Sequence, residues 1–166
     1  MQIVNGKKLP TVTDTGIYGF FGDYRFLSNY HLIDIEIDGI VYPSSEHAYM
    51  AQKTLDEEIR RHIATLPHPA NAKRLGQLIT LRPDWNGYRL EAMRRVLDVK
   101  FKDDDLAQKL LGTGNLYLEE TNDWGDVFWG FCGGVGKNML GKTLMAIRSD
   151  LRNPPVVEYE PPLIIW

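Results

Sequence analysis

The stretch HLIDIEIDGIVYPSSEHAYMAQK, residues 31–53, changes period midway, and that change decides the fold class. From His31, apolar Ile33, Ile35 and Ile37 alternate with acidic Asp34, Glu36 and Asp38, the period-two pattern of a strand with one wet face. Asp38-Gly39 is a tight-turn dipeptide, so the segment reads as a β-hairpin. Ser44 or Ser45 then offers a helix N-cap, and good helix formers continue through Lys53. Glu46, Tyr49 and Lys53 stand at i, i+3 and i+7 and leave that helix from one face. A carboxylate beside an amine can serve as general base or electrostatic stabiliser, and a lysine of lowered pKa can capture an aldehyde as a Schiff base. The same residues also suit a plain helix, because Glu in a first turn and Lys near a last turn both complement the helix dipole.

Outward from this segment, periodicity predicts helices at about Glu57–Thr65, Asn71–Leu78, Asn86–Phe101 and Leu106–Leu111. In the third of these, Leu90, Met93, Leu97 and Phe101 form one stripe. Short strands are expected in NLYLEE (115–120) and DVFWGF (126–131), and a last helix from about Asn138 to Leu151, with Leu140, Leu144, Ile147 and Leu151 on one side. No repeat or linker precedes residue 152. The expectation is therefore one compact α+β domain over residues 1–151, mostly helical with a small β-hairpin or sheet, and a proline-punctuated tail at 152–166 docked on it.

A chain of 166 residues can bury a core that needs neither disulfide nor metal. Its single cysteine, Cys132, cannot form an internal bridge, and no N-terminal apolar run resembles a signal peptide or a membrane span, so a cytoplasmic protein without a membrane partner is expected. The net charge of −3 argues against nonspecific coating of nucleic acid. Between Ile59 and Lys102, however, ten basic side chains face three acidic ones. A solvated set of helix faces accounts for that excess, and so does a surface that meets phosphates.

Residues 136–143, GKNMLGKT, spell G-x-x-x-x-G-K-T in full. A nucleotide-binding P-loop needs a strand before it, a helix whose first N–H groups hold the phosphates, and a later acidic magnesium ligand. Here the helix N-capped by Asn138 already contains Gly141, Lys142 and Thr143, and only twenty-three residues follow. The βαβ rhythm is missing as well, so the motif counts as a helix start.

Two segments mix aromatic and polar residues in a way that neither a core strand nor an ordinary loop requires: FFGDYRFLSNY (20–30) and DWGDVFWGFCGGVGKN (123–138). Both read as walls of a pocket that stacks a flat ligand, and equally as aromatic filling of a small core.

FLSNY (Phe26–Tyr30), YPSSEHAYMAQK (Tyr42–Lys53), Asp84-Trp85, Lys100-Phe101, DVFWG (Asp126–Gly130) and GKNMLGKTLMAIR (Gly136–Arg148) occur in the order in which similar blocks occur in the NADAR (YbiA-like) family. The chain resembles that family from about Gly19 to Arg148. The resemblance implies an α+β N-glycosidase without metal or redox cofactor. It implies as substrate either ADP-ribose attached to guanine in nucleic acid or a phosphorylated ribosylamino-pyrimidine of riboflavin synthesis; no obligate protein partner is expected.

By position, the resemblance puts catalytic roles on Glu46, Lys53 and Asp126. It puts substrate contacts on Asn29 of LSNY, Trp85, Trp129, and Asn138 of the G-x-N block, and Ser28 and Tyr49 beside them are further candidates. Asp123 competes with Asp126 for the acidic role of DWGDVFWG. Arg25 and the helix start at Gly136 to Asn138 are candidates for holding a phosphate. Ribose–nitrogen cleavage builds positive charge at C1, so Glu46 would stabilise it, Asp126 would orient a hydroxyl or handle a proton, and a tryptophan would stack on the base. A binding module that recognises ADP-ribose without cleaving it, and a magnesium-dependent kinase using Lys142, are the readings from other classes. His31, His47, His62 and His68 have no spacing that selects a metal.

Overall fold

The structure is a computed structural model that describes residues 1–154. The hairpin at its centre consists of β5 (Leu32–Ile37) and β6 (Ile40–Ser44), antiparallel with Ile37 opposite Ile40 and Ile35 opposite Tyr42. Asp38 (φ 55°) and Gly39 (φ 73°) both take left-handed backbone, as a two-residue turn of this twist requires. Ile35, Ile37, Ile40 and Tyr42 are buried while Asp34, Glu36 and Asp38 face water, so the period-two alternation is a true one-faced strand.

The chain passes from β6 into α1 (Ser45–Ala51) without a loop, and Ser44, the first of the two expected caps, accepts the His47 N–H through Oγ at 3.3 Å. The helix ends two residues before Lys53. Lys53 N–H and Thr54 N–H bond three residues back, to Met50 and Ala51 carbonyls, and the Lys53 carbonyl accepts Arg82 N–H at 2.7 Å, which pulls the chain out of the α-helical path. His47 is a strut: it is buried, with Nδ1 against Ser44 Oγ at 2.7 Å and Nε2 against the Leu66 carbonyl at 3.1 Å.

Around this unit stand α2 (Glu57–Ala64), α3 (Pro69–Leu75), α4 (Trp85–Lys100) and α5 (Asp104–Gly112). The helix expected at 71–78 begins earlier because Pro69 is pre-set for a first helical turn, and it stops at Gly76, where a side chain would run into Met50. On α4 the buried stripe is Met93, Val96 and Leu97, continued by Phe101 just past its end; Leu90 is 42% exposed and leaves it. The last helix, α6 (Met139–Arg152), buries Leu140, Leu144 and Ile147. It extends one residue past the expected boundary, and the expected docking of the tail from residue 155 lies outside the described residues.

Short strands complete the framework. β1 (Gln2–Val4) and β2 (Lys7–Leu9) form a hairpin, and β3 (Thr11–Val12), β4 (Gly16–Tyr18) and β7 (Tyr117–Glu119) form a sheet in which β4 and β7 run parallel. β8 (Thr121–Asn122), β9 (Phe131–Cys132) and β10 (Val135–Gly136) form a second small sheet. The strand expected over residues 126–131 is a loop up to Gly130. Asn122 dictates this: its Nδ2 donates to the Asp126 carbonyl at 2.8 Å, and its Oδ1 accepts the Asp126 N–H at 3.1 Å, so the backbone folds around one buried amide. FFGDYRFLSNY holds a 3₁₀ helix (Gly22–Leu27) that buries Phe26 and Leu27. Among the described residues no helix is long and apolar enough to cross a membrane.

Gly141 explains the apparent P-loop. A Cβ there would collide with the Leu118 carbonyl and the Asn138 side chain, so the glycine permits close packing of α6 on β7. Lys142 points to solvent, and Thr143 Oγ1 donates to the Met139 carbonyl at 2.8 Å within the helix.

Candidate active site

A cavity of about 610 Å³ opens where α1, the LSNY segment, the start of α4 and the 122–131 loop converge. Glu46, Lys53, Asp126, Arg25, Ser28, Asn29, Tyr49, Trp85 and Trp129 all line it, so both aromatic segments form its walls. LSNY is tied to α1 by the Glu46 N–H, which donates to the Asn29 carbonyl at 3.0 Å. Behind it, the fully buried Lys100 donates from Nζ to the Ser28 carbonyl at 2.9 Å. Asn29 Nδ2 meets Met93 Sδ at 3.4 Å, and its Oδ1 is buried with no partner among the described residues.

The wall is aromatic. Tyr49 packs between Trp85 (centroids 5.4 Å apart) and Trp129 (5.3 Å, edge-on), and Trp129 meets Phe128 edge-on at 5.0 Å. Phe128 carries the Arg89 guanidinium 3.8 Å above its ring, and the exposed Trp124 lies beneath both Lys8 and Lys73.

Charge in the cavity is unbalanced locally. Burial pushes the Glu46 carboxyl up to about 7; Lys73 and Lys53 nearby pull it down and Asp126 pushes it further up. Lys53 is held below its usual range by burial, against the pull of Glu46. Its Nζ donates to the Gly76 carbonyl at 2.7 Å and stands 5.9 Å over Trp85, and no ion pair joins it to Glu46 among the described residues. Burial also lifts the Tyr30 hydroxyl to about 12, with Glu46 contributing.

Asp126 and Asp123 separate clearly. Asp126 lines the cavity and accepts the Phe128 and Trp129 N–H groups on Oδ1 at 3.1 and 2.8 Å, which sets the direction of both rings. Asp123 lies outside, paired with Lys8 at 2.6 Å. Gly136 and Asn138 also stand away from the cavity. Gly136 pairs with Phe131 where a side chain would strike the Gly130 backbone, and the buried Asn138 spends its amide on β7 and Glu120.

The basic middle of the chain does not form one surface, and Lys100 is buried altogether. Arg60, Arg61, Arg82, Arg94 and Arg95 are paired with carboxylates at the surface. Lys73 and Arg89 instead line the cavity, without a carboxylate within ion-pair distance among the described residues. Glu120 escaped the sequence reading altogether. It is the second acid of NLYLEE, one residue beyond β7, and it turns into the cavity where strand periodicity offers no signal.

Comparison with known proteins agrees with this architecture. The family model described as NADAR domain matches residues 13–152. The protein named N-glycosidase YbiA from Escherichia coli (strain K12) is 36% identical over 155 residues, covering 89% of this chain and 96% of its own length. The NMR structure of the E. coli protein YbiA superposes with a TM-score of 0.76 at 35% identity, covering 90% of this chain and 92% of that one. A Vibrio vulnificus protein named as a riboflavin biosynthesis protein is 37% identical over 134 residues, 78% of this chain but 36% of its own length.

Proposed function

The chain belongs to the NADAR domain family, and we propose that it is an N-glycosidase that removes ADP-ribose from ADP-ribosylated guanine in DNA or RNA. The observation that carries this reading is Glu46: a buried carboxyl at the centre of an aromatic-walled cavity, poised near neutrality. Cleavage of a ribose–nitrogen bond leaves positive charge on C1 and the ring oxygen. An ionised Glu46 in this low-dielectric setting stabilises that charge far more than water would.

The remaining walls suit the rest of the substrate. Trp85, Tyr49 and Trp129 offer faces and edges for a purine, while Arg25, Lys73 and Arg89 offer charge to a pyrophosphate. Asp126 orients a ribose hydroxyl with the carboxylate oxygen left over from its loop bonds. The Lys53 amine, held below its usual range by burial, bonds to C1 as the guanine nitrogen departs and carries the opened sugar as an imine until water releases it; that step splits the hydrolysis into two easier ones. No metal enters this scheme.

The test is incubation, with and without chelator, with an oligonucleotide ADP-ribosylated on guanine and separately with the ribosylamino-pyrimidine phosphate, followed by mass spectrometry. The proposal expects free ADP-ribose and unmodified oligonucleotide, insensitive to chelator and falling steeply as salt rises. The name of the Vibrio relative favours the second substrate, and cleavage of the pyrimidine alone would install that reading instead.

A further inference from the structure

We infer that Glu120 donates the proton to the departing nitrogen and that Asn138, outside the cavity, is the residue that positions it. The inference rests on the N-glycosidase reading and adds to it an acid that neither the sequence motifs nor Glu46 supplies.

Three carboxyl groups line the cavity, and their bonding differs. Asp126 is engaged by the two N–H groups of its own loop. Glu46 is the group beside Lys53 and Lys73. Glu120 is held entirely by its backbone: its N–H donates to Asn138 Oδ1 at 3.1 Å, and its carbonyl accepts the Phe131 N–H at 2.9 Å and Asn122 Nδ2 at 3.3 Å. Its Oε2, by contrast, is buried with no hydrogen-bond partner among the described residues. A buried polar atom left unpaired is costly, and a fold keeps one where a ligand completes it.

The surroundings select the protonated form. Burial, then Asp126, then Glu46 push Glu120 up to about 8, against the opposing pull of Arg25 and Lys73. Glu46, at about 7, has Lys73 and Lys53 against it and Asp126 alone among the carboxyls beside it. Glu46 beside two lysines and Glu120 with its Oε2 unpartnered can divide the labour of anion and acid. In the step itself the C1–nitrogen bond breaks, its electron pair goes to nitrogen, and the Glu120 proton follows it there. The Lys53 amine then bonds to C1 and gives a proton to Glu46, the sugar ring opens to the imine, and water hydrolyses that imine and frees Lys53; exchange with solvent resets the two carboxyls, so one water is consumed.

Asn138 makes this geometry rigid. It sits in left-handed backbone (φ 50°) at the start of α6, with Nδ2 donating to the Leu118 carbonyl at 2.8 Å and to the Tyr117 hydroxyl at 2.9 Å. One amide thus clamps β7 on both sides of the turn into Glu120.

The experiment compares wild type, Glu120→Gln, Glu120→Asp, Asn138→Ala and Asn138→Asp on an oligonucleotide ADP-ribosylated on guanine, measuring kcat and KM from pH 6 to 9.5 together with Tm. Glu120→Gln is expected to lower kcat about a hundredfold or more with KM nearly unchanged and to erase the alkaline fall of kcat. Glu120→Asp keeps that limb at reduced kcat. Asn138→Ala lowers kcat and shifts the limb, and Asn138→Asp, which keeps the acceptor for Glu120 N–H, recovers part of both. An active wild type whose Glu120→Gln variant keeps at least half its kcat and the same alkaline limb overturns the proposal alone. A wild type that releases nothing from either substrate overturns the glycosidase reading and the proposal with it.

Discussion

The Lys53 amine and the Glu46 carboxyl line one cavity without forming an ion pair: Lys53 Nζ is held instead by the Gly76 carbonyl at 2.7 Å. A carbonyl holds an ammonium more strongly than a neutral amine but accepts from either, so it favours the charged lysine less than a carboxylate partner would. Each group is therefore displaced toward neutrality by burial, the lysine downward and the glutamate up to about 7.

If Lys53 captures the opened sugar, borohydride added during turnover will reduce the imine and leave a ribosyl adduct. Peptide mapping should place the added mass on Lys53, and Lys53→Arg should abolish it. Full turnover in borohydride with an unmodified Lys53 would remove the covalent step from the mechanism.

Glu46 sets a second expectation. The ionised form stabilises the transition state, so kcat/KM should rise with pH through about 7, ahead of the alkaline fall that Glu120 sets. The same shift has a stability consequence of defined sign. The folded pKa lies above the ordinary 4.5, so the native state retains a proton that the unfolded chain has released, and stability falls as pH rises from about 4.5 through about 7. Thermal melts should show Glu46→Gln gaining on wild type across that range; parallel curves would mean that the carboxyl is ordinary.

Lys100 is displaced in the opposite direction. Full burial, helped by Arg25, lowers its amine to about 7 from 10.5, so the unfolded chain binds more protons than the native one between those values. Stability contributed by this residue is present at high pH and lost as pH falls through about 7. Denaturant titrations of Lys100→Met should lack the rise in stability that wild type shows between pH 7 and 10.

The G-x-x-x-x-G-K-T stretch should separate into a structural glycine and dispensable neighbours. Gly141→Ala forces a methyl group against the Leu118 carbonyl and should cost about 1–3 kcal/mol in urea unfolding. Lys142→Ala, on the exposed face of α6, should change neither stability nor activity by a measurable amount. An activity that depends on Lys142 and magnesium would restore the nucleotide-binding reading.

What the chain displayed before folding was local. Ile33, Ile35 and Ile37 against Asp34, Glu36 and Asp38 revealed the hairpin because the pleat repeats every two residues, and the Ser44-Ser45 pair placed the helix start to within one residue. The motif blocks located most of the cavity wall, Glu46, Lys53, Tyr49, Trp85 and Asp126 included. Residues 126–130 were misread as a strand because a loop organised by Asn122 and Asp126 side chains has no period to detect. Glu120 was invisible for a related reason: its direction comes from a bond to Asn138, eighteen positions away. Asn138 itself was marked by its motif, but as a ligand contact, since spacing cannot show that its amide is consumed inside the protein.

The most direct test of the account is the rate of ADP-ribose release from a guanine-ADP-ribosylated oligonucleotide, compared by mass spectrometry between wild type and Glu46→Gln at pH 7.5. The account predicts steady release by wild type and a loss of about a thousandfold in the variant, with its fold intact by circular dichroism. A Glu46→Gln protein that releases ADP-ribose within a few-fold of wild type would contradict it.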